Sequence, residues 1–166
     1  MRLIIASLLV FSIVILFLFA LFPSSISVSR VVQINLAKEK IMKEISDLRE
    51  WQKWNVLINL PVQTGDLKNV SVRTDSNLIV MNNMRIQLLK SSQDSIITRW
   101  QNRNRYFMGN FTFTQINGGV IVQWTLQFHI RWYPWEKLAS MFYEKELGPR
   151  MEQSLINLEK LLKQDS

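Results

Sequence analysis

The segment VIVQWTLQFHIRW, residues 120–132, decides the fold of this protein. Its apolar side chains alternate with mostly polar ones along the whole segment, which is the pattern of a β-strand with one buried face. The apolar row is Val120, Val122, Trp124, Leu126, Phe128, Ile130 and Trp132. The preceding residues NGG, 117–119, predict a tight hairpin turn. We therefore expect this strand to pair with the one before it, at 107–113.

Upstream of the hairpin, the same period of two continues in short runs. Apolar residues alternate near 70–72, 78–80, 84–88 and 96–100, and turn-forming residues separate the runs, as in TDSN at 74–77 and SSQD at 91–94. A further alternating run at 28–36 comes earlier in the chain. The sequence therefore predicts an antiparallel meander with one additional strand before it.

Helical spacing replaces the period of two in three places. Residues 37–46 and 47–55 are predicted to form two short helices, with Asn35 capping the first, and 56–67 is predicted to be a loop. From about Pro134, apolar residues recur at helical spacing to Leu162, but proline removes a backbone donor, so Gly148-Pro149 should interrupt this last helix. A long helix on one face of a curved antiparallel sheet is an α+β architecture.

Residues 3–22 form an uncharged, predominantly apolar run. At about 1.5 Å per residue, a helix of this length spans roughly 30 Å, the thickness of a bilayer's hydrocarbon core. We therefore predict an uncleaved transmembrane anchor at 1–22, a short linker at 23–27 and a folded domain at 28–166. A cleaved signal peptide is the alternative, although its apolar region is normally about 7–15 residues long.

The basic residues around this run do not decide its orientation. Arg2 lies on one side, and Arg30, Lys38 and Lys40 follow on the other. A short basic N-terminus is readily retained inside, which would place the domain outside the cytoplasm. The expected localisation is thus a single-pass membrane protein with its folded domain on the outer side.

The composition excludes several kinds of site. The 166 residues include no Cys and a single His, His129, so disulfide scaffolds, thiol nucleophiles and Cys/His metal sites are ruled out. Glycine-rich phosphate loops, serine nucleophile elbows and zinc-protease helices are also missing from the sequence. We therefore predict no catalytic residue, no cofactor and no metal.

Charge is concentrated in the predicted sheet. The formal net charge of the chain is +7, and residues 67–133 hold eight basic residues but only two acidic ones. We predict that Arg99, Arg103 and Arg105 contact the membrane surface, because a short linker brings anionic headgroups closer than nucleic acid. An ordinary solvated face is the alternative explanation.

Four segments together carry a resemblance to a known superfamily. They are VSRVVQIN at 28–35, WQKW at 51–54, GGVIVQW at 118–124 and LGPRMEQSLINLEKLL at 147–162. Over residues 28–163 the chain resembles the SRPBCC superfamily, which includes polyketide-cyclase-like proteins, START lipid-transfer domains and activators of the heat-shock chaperone ATPase. The resemblance implies a helix-grip fold, whose C-terminal helix closes an apolar cavity over a concave sheet. The chain departs from the superfamily in lacking a proline at 36–39 and in having Ser154 where many relatives have glycine.

The expected function follows from this cavity. We predict a membrane-anchored, non-catalytic domain that binds an apolar or amphipathic small molecule or a lipid. The predicted lining is Trp54, Trp124, Leu126, Phe128, Met141, Phe142 and Met151. The alternatives are a module that binds a protein partner, as the chaperone activators do, and a cyclase-like or hydratase-like enzyme. A cavity above about 300 Å³ favours the first function, a filled core the second, and a buried carboxylate facing the cavity the third.

Overall fold

The structure, a computed structural model, describes residues 2–20, 23–58, 72–81 and 83–164. Its helices are α1 (Arg2–Ala20), α2 (Lys38–Ser46), α3 (Trp51–Trp54), α4 (Pro134–Ser140) and α5 (Tyr143–Gln164). Its strands are β1 (Ser25–Ile34), β2 (Val72–Asp75), β3 (Leu78–Met81), β4 (Met84–Ser92), β5 (Ser95–Asn102), β6 (Arg105–Ile116) and β7 (Gly119–His129).

The seven strands form one antiparallel sheet in the order β1-β7-β6-β5-β4-β3-β2. Strands β2 to β7 follow one another as a meander, and β1 pairs with β7 at the far edge. The predicted hairpin between β6 and β7 closes with Ile116 opposite Gly119, and Gly118 in the turn has φ 95°. The predicted α+β class, with an antiparallel sheet and a long C-terminal helix, is confirmed.

The first strand begins earlier than predicted. It begins at Ser25, so the three residues 25–27 assigned to the linker belong to the sheet, where Ser25 lies opposite His129 at the end of β7. The physical reason is visible in the sequence, because Ile26 and Val28 alternate with serines and extend the strand pattern. The folded unit therefore follows α1 more closely than the predicted linker allowed.

The C-terminal helix is broken at a different place from the one predicted. The break falls at Met141 and Phe142, whose backbone N–H groups donate to the carbonyls three residues earlier. In contrast, α5 continues through Pro149. Gly148 and Met151 on either side of this proline are buried, so packing against the sheet compensates for the helical hydrogen bond that the proline lacks.

The segments around the two short helices also differ from the prediction. Ala37, not Asn35, precedes the first turn of α2, and no side chain caps that turn. Asn35 instead accepts a hydrogen bond from the Gln33 side chain at 3.3 Å. Residues 56–58 of the predicted loop are helical, and 59–67 lie outside the described residues.

Ser154 connects α5 to the segment that follows α3. Its buried hydroxyl accepts a hydrogen bond from the Val56 backbone N–H at 2.9 Å and donates one to the Arg150 carbonyl at 2.7 Å. Glycine could not make either side-chain bond. Ser154 therefore ties the two helical segments together through its side chain.

The core at one end of the sheet is filled by aromatic rings. Trp51 and Trp54 of α3 lie 5.3 Å apart between ring centroids, and Phe111 stacks on Trp124 at 5.0 Å. All four side chains are buried. Because they pack α3 onto β6 and β7, this half of the space between sheet and helices is closed.

Helix α1 lies apart from this core. Except for the half-buried Ile15, its described large side chains are exposed, and its backbone approaches α4. Across the residues that the structure describes, no helix is long and apolar enough to cross a membrane. The side chains at 6, 16 and 18–20 of α1, and residues 21–22, lie outside that description. The anchor at 1–22 therefore stays a prediction.

Candidate ligand-binding cavity

A cavity of about 1010 Å³ lies at the other end of the sheet. It is bounded by the turns between β3 and β4 and between β5 and β6, by the end of β7 and by the first turns of α5. The residues that line it are Leu57, Met81, Asn83, Met84, Trp100, Asn102, Arg103, Asn104, Arg105, Tyr106, Phe107, Leu126, Phe128, His129, Ile130, Arg131, Tyr143, Glu146 and Leu147.

The floor of the cavity is a continuous row of aromatic rings. Trp100 of β5 stacks on Phe107 of β6 with centroids 5.5 Å apart, and Phe107 stacks on Phe128 of β7 at 4.7 Å. Phe128 then meets the edge of Tyr143 on α5 at 4.9 Å. Trp100 is 1% exposed and supports the row from within the core, whereas Phe107, Phe128 and Tyr143 are half-buried. These three rings therefore offer an apolar surface to a bound molecule.

The orientation of Trp100 depends on two neighbouring residues. Its Nε1–H donates to Thr98 Oγ1 at 3.0 Å, and the Thr98 hydroxyl donates to the Gly109 carbonyl at 3.1 Å. A β-carbon at Gly109 would lie 2.5 Å from Thr98 Oγ1 and 2.7 Å from Trp100 Nε1. Only glycine therefore leaves room for this chain of hydrogen bonds, which holds the indole against the cavity.

The rim of the cavity is polar and mostly basic. It carries Arg103 and Arg105 near the β5–β6 turn, and His129 and Arg131 at the end of β7. The backbone N–H of Arg103 donates to the Asn83 carbonyl at 2.8 Å, which ties the β5–β6 turn to the β3–β4 turn. An apolar floor below a basic rim suits a molecule with an apolar body and a polar or anionic end.

One acidic residue outside the cavity lining, Glu136, binds two residues of this rim. Glu136 of α4, whose side chain is only 10% exposed, accepts a hydrogen bond from Arg105 Nη2 at 2.9 Å. Its other carboxylate oxygen accepts the Arg131 backbone N–H at 3.3 Å. Glu136 thereby connects α4 to two residues of the cavity mouth.

The structure separates the seven predicted lining residues into three groups. Leu126 and Phe128 line the cavity. Trp54, Trp124 and Met151 are fully buried in the packed core instead. The remaining two, Met141 and Phe142, lie exposed on the surface and outside the lining of the cavity. The reason is the helix break at these residues, which turns their side chains outward.

The three predicted membrane-contact residues do not form one cluster. Arg103 and Arg105 lie on the cavity rim. Arg99 is exposed one residue before Trp100 on β5, so it points to the opposite face of the sheet. Contact of these residues with a membrane stays a prediction.

Several lining residues were missed by the sequence analysis. Trp100 and Phe107 lie on predicted strands, but only the register that places them opposite each other shows that they share the floor. Tyr143 was missed because the helix break preceding it was placed elsewhere. His129, the single histidine of the sequence, is exposed and belongs to the rim.

The chemistry available in the cavity is limited. Glu146 is the one carboxylate among the described lining residues, and its side chain is 61% exposed and lies 3.6 Å from Arg150. No group of three His, Cys, Asp or Glu side chains in the described part of the chain could hold a metal ion. The arrangement can therefore enclose an apolar group and pair with a negative charge at its rim.

Comparison with known proteins agrees with this architecture. The sequence pattern of the family described as polyketide cyclase/dehydrase and lipid transport matches residues 25–163. The chain belongs to this family. No curated protein matches the chain significantly in sequence.

Solved structures with a similar fold show how widely this family's architecture is used. One is the di-domain ARO/CYC protein StfQ of the steffimycin biosynthetic pathway, at 12% identity and a TM-score of 0.58, with 85% of this chain and 51% of StfQ covered. A protein of the dynemicin biosynthetic locus, DynU16, has 12% identity, a TM-score of 0.53 and coverage of 82% and 47%. The chain thus spans about half the length of these two proteins.

A third similar structure comes from a plant. Norcoclaurine synthase from Thalictrum flavum, in complex with dopamine and hydroxybenzaldehyde, has 8% identity and a TM-score of 0.56. The similarity covers 86% of this chain and 88% of the synthase. At such low identity, these likenesses describe the fold alone.

Proposed function

We propose that this domain binds an apolar or amphipathic small molecule, or a lipid, in the cavity between its sheet and α5, without catalysing a reaction. The observation that carries the proposal is the cavity itself. Its volume of about 1010 Å³ is well above the roughly 300 Å³ at which ligand pockets begin. The family description, which includes lipid transport, supports the same ligand class.

The cavity walls specify the kind of ligand further. The half-buried rings of Phe107, Phe128 and Tyr143 take the apolar body of the ligand. Arg103 and Arg131 at the rim pair with a carboxylate, sulfonate or phosphate at its other end. An anionic amphiphile such as a fatty acid therefore fits both parts of the site.

Catalysis of the cyclase type is the alternative that the family description raises. A cyclase needs a group that moves a proton within the cavity. Glu146, the carboxylate among the described lining residues, is exposed and lies beside Arg150. His129 and Tyr143 also line the cavity, but His129 is exposed at the rim and the Tyr143 ring packs against Phe128. The placement of these three groups is the reason for proposing a non-catalytic domain.

The proposal also includes attachment to a membrane through residues 1–22. Support comes from the uncharged run at 3–22, which as a helix would be roughly 30 Å long. The short basic N-terminus supports a domain outside the cytoplasm. Resistance of the full-length protein to extraction by alkaline carbonate tests the anchor directly.

The ligand-binding proposal is tested with the full-length protein in a mild detergent. Native mass spectrometry of the isolated protein should detect a co-purifying molecule of one or a few discrete masses. After delipidation and addition of oleate, it should detect bound oleate. Met84→Trp, which fills the cavity, should abolish the bound mass. Leu89→Trp adds the same indole at an exposed position of β4 outside the cavity lining and should retain it.

Two results would contradict the proposal. One is a protein that carries no small molecule when first isolated and that does not bind oleate after delipidation. The other is a bound mass that persists equally in Met84→Trp and Leu89→Trp, because the molecule would then lie outside this cavity.

A further inference from the structure

Helix α4 has the reverse of the usual polarity of a surface helix. Trp135 and Leu138 on its outer side are 66% and 49% exposed, and Glu136, Lys137 and Ser140 on its inner side are 9%, 5% and 4% exposed. A helix that faces water normally buries its apolar residues and exposes its polar ones. The outward side of α4 is therefore suited to an apolar environment.

The exposed apolar surface extends beyond the helix at both ends. Trp132 before it, and Met141 and Phe142 after it, are 68%, 61% and 63% exposed. Tyr133 stacks on Trp135 with centroids 5.0 Å apart and contacts Trp132 at 4.9 Å. We call this surface the α4 apolar face, and it consists of Trp132, Trp135, Leu138, Met141 and Phe142.

Hydrogen bonds on the inner side hold α4 in this orientation. Glu136 binds Arg105 and the backbone of Arg131, as described for the cavity rim. Rotation of the helix to bury its apolar side would turn Glu136 outward and break its hydrogen bonds to Arg105 and to the Arg131 backbone. The exposure of the apolar face is thus built into the fold.

Helix α1 does not cover the α4 apolar face. The backbones of the two helices approach each other, and the exposures given above are those that remain with α1 in place. Except for the half-buried Ile15, the described side chains of α1 are themselves exposed, as at Leu3 and Phe17. The two helices therefore present apolar surfaces near one another, and one environment could accommodate both.

Charge next to the face identifies that environment. Arg131 immediately precedes Trp132, and Arg105 is bonded to α4 through Glu136. Tryptophan and tyrosine are enriched where a protein meets the headgroups of a bilayer, and nearby arginines are attracted to anionic lipids. A bilayer would also accommodate the exposed apolar side chains of α1, which lies beside this face.

We propose that the α4 apolar face inserts into the surface of an anionic bilayer and holds the mouth of the cavity against the headgroups. This inference rests on the membrane attachment in the proposed function and adds the orientation of the domain on the bilayer. Glu136 links the inserted helix to Arg105 and Arg131, so docking places the basic rim near lipid phosphates. A lipid could then enter the cavity without crossing water.

The absence of cysteine from the sequence makes this orientation measurable. Leu138→Cys and Phe142→Cys introduce single labelling positions on the α4 apolar face, and both side chains are exposed. Thr114→Cys provides a matched control at an exposed position of β6, seven residues from the cavity residue Phe107. Each full-length variant carries a nitroxide in liposomes of phosphatidylcholine and phosphatidylglycerol.

Collisions with oxygen, which concentrates in the bilayer, and with a water-soluble nickel chelate report the depth of each nitroxide. At 138 and 142 we expect high oxygen and low nickel accessibility, corresponding to a depth of about 5–10 Å below the headgroups. The control at 114 should show the reverse. Equal nickel accessibility at all three positions would overturn the proposal. Protection of 138 and 142 from both reagents would also overturn it, since protein would then cover the face.

Failure of docking and failure of the anchor give different results. A chain that resists alkaline carbonate but exposes position 138 to nickel is anchored without docking, which contradicts this inference alone. A chain that carbonate removes but whose position 138 is inserted in neutral buffer docks without a transmembrane anchor. That second result contradicts the anchor and supports the α4 apolar face.

Discussion

Gly148 of α5 lies against the guanidinium group of Arg30 on β1, so closely that a β-carbon at 148 would be 1.9 Å from Arg30 Nη2. Arg30 Nη1 donates to the Ser29 carbonyl at 2.7 Å, and Nη2 lies 2.6 Å from a carboxylate oxygen of Glu144. The half-buried arginine thus fits between the first strand and α5. Gly148, which together with Pro149 predicted a helix break, instead leaves the space that the Arg30 side chain occupies.

Gly148→Ala should displace the Arg30 guanidinium from Ser29 and Glu144, and the loss of these two contacts should offset the higher helix propensity of alanine. In an Arg30→Ala background the same change should be neutral or stabilising, since alanine favours a helix by up to about 1 kcal/mol over glycine. Denaturant unfolding of the four chains should show a coupling free energy of about 0.5–3 kcal/mol. The same cost of Gly148→Ala in both backgrounds would contradict the contact.

Replacing each of two methionines by tryptophan should distinguish the cavity from the packed core. Met151 is fully buried, so Met151→Trp should overpack the core and lower the free energy of unfolding by about 1–3 kcal/mol. Met84 lines the cavity and is half-buried, so Met84→Trp should cost less. Thermal or denaturant unfolding compares the two variants, and equal losses would mean that the cavity has no room for an indole.

Thr98→Val should disturb the cavity floor through Trp100. The buried indole N–H would lose the acceptor that it now has at 3.0 Å, which costs about 1–3 kcal/mol in unfolding free energy. A less constrained ring should also weaken binding of oleate in native mass spectrometry. Thr112→Val, at a half-buried position of β6, is the control for replacing threonine in a strand. Identical stability and binding in both variants would show that the hydrogen bond does not position Trp100.

Acid should remove one local contribution to stability, at the start of α3. The Arg49 side chain donates to Asp47 at 2.9 Å, and this hydrogen bond lowers the pKa of the Asp47 carboxyl below 3.8. A lowered folded pKa means that the stabilisation is present at neutral pH and is lost as the pH falls through that pKa.

Asp47→Asn should accordingly be less stable than the parent protein above about pH 5, and the difference should shrink as the pH falls below about 4. The free energy of unfolding of both proteins, measured from pH 7 to pH 2.5, provides this comparison. A difference independent of pH would show that the ionised carboxylate does not contribute.

Much of the architecture could be predicted from short-range periodicity. Alternation in 120–132 identified β7 because a strand turns successive side chains to opposite faces, and helical spacing from Met151 to Leu162 identified the buried side of α5. The uncharged run at 3–22 likewise predicted a helix, and the structure has α1 over Arg2–Ala20. Each of these patterns depends only on neighbours along the chain.

Periodicity could not show which apolar residues meet one another. Trp124 and Phe128 lie on the same face of β7, yet Trp124 is fully buried in the core and Phe128 lines the cavity. The difference arises because α3 packs over one end of the sheet and leaves the other end open. No pattern within β7 records the position of α3.

The sequence by itself determined the strands, the long helix, the family and the absence of cysteine and metal-ligand motifs, because these depend on residue identity and local spacing. Only the tertiary structure decided that α5 runs through Pro149, that the helix break lies at Met141 and Phe142, and that α4 exposes its apolar side. These features depend on partners distant in sequence, such as Arg30 for Gly148 and Arg105 for Glu136. Such partners become neighbours only when the sheet and helices pack together.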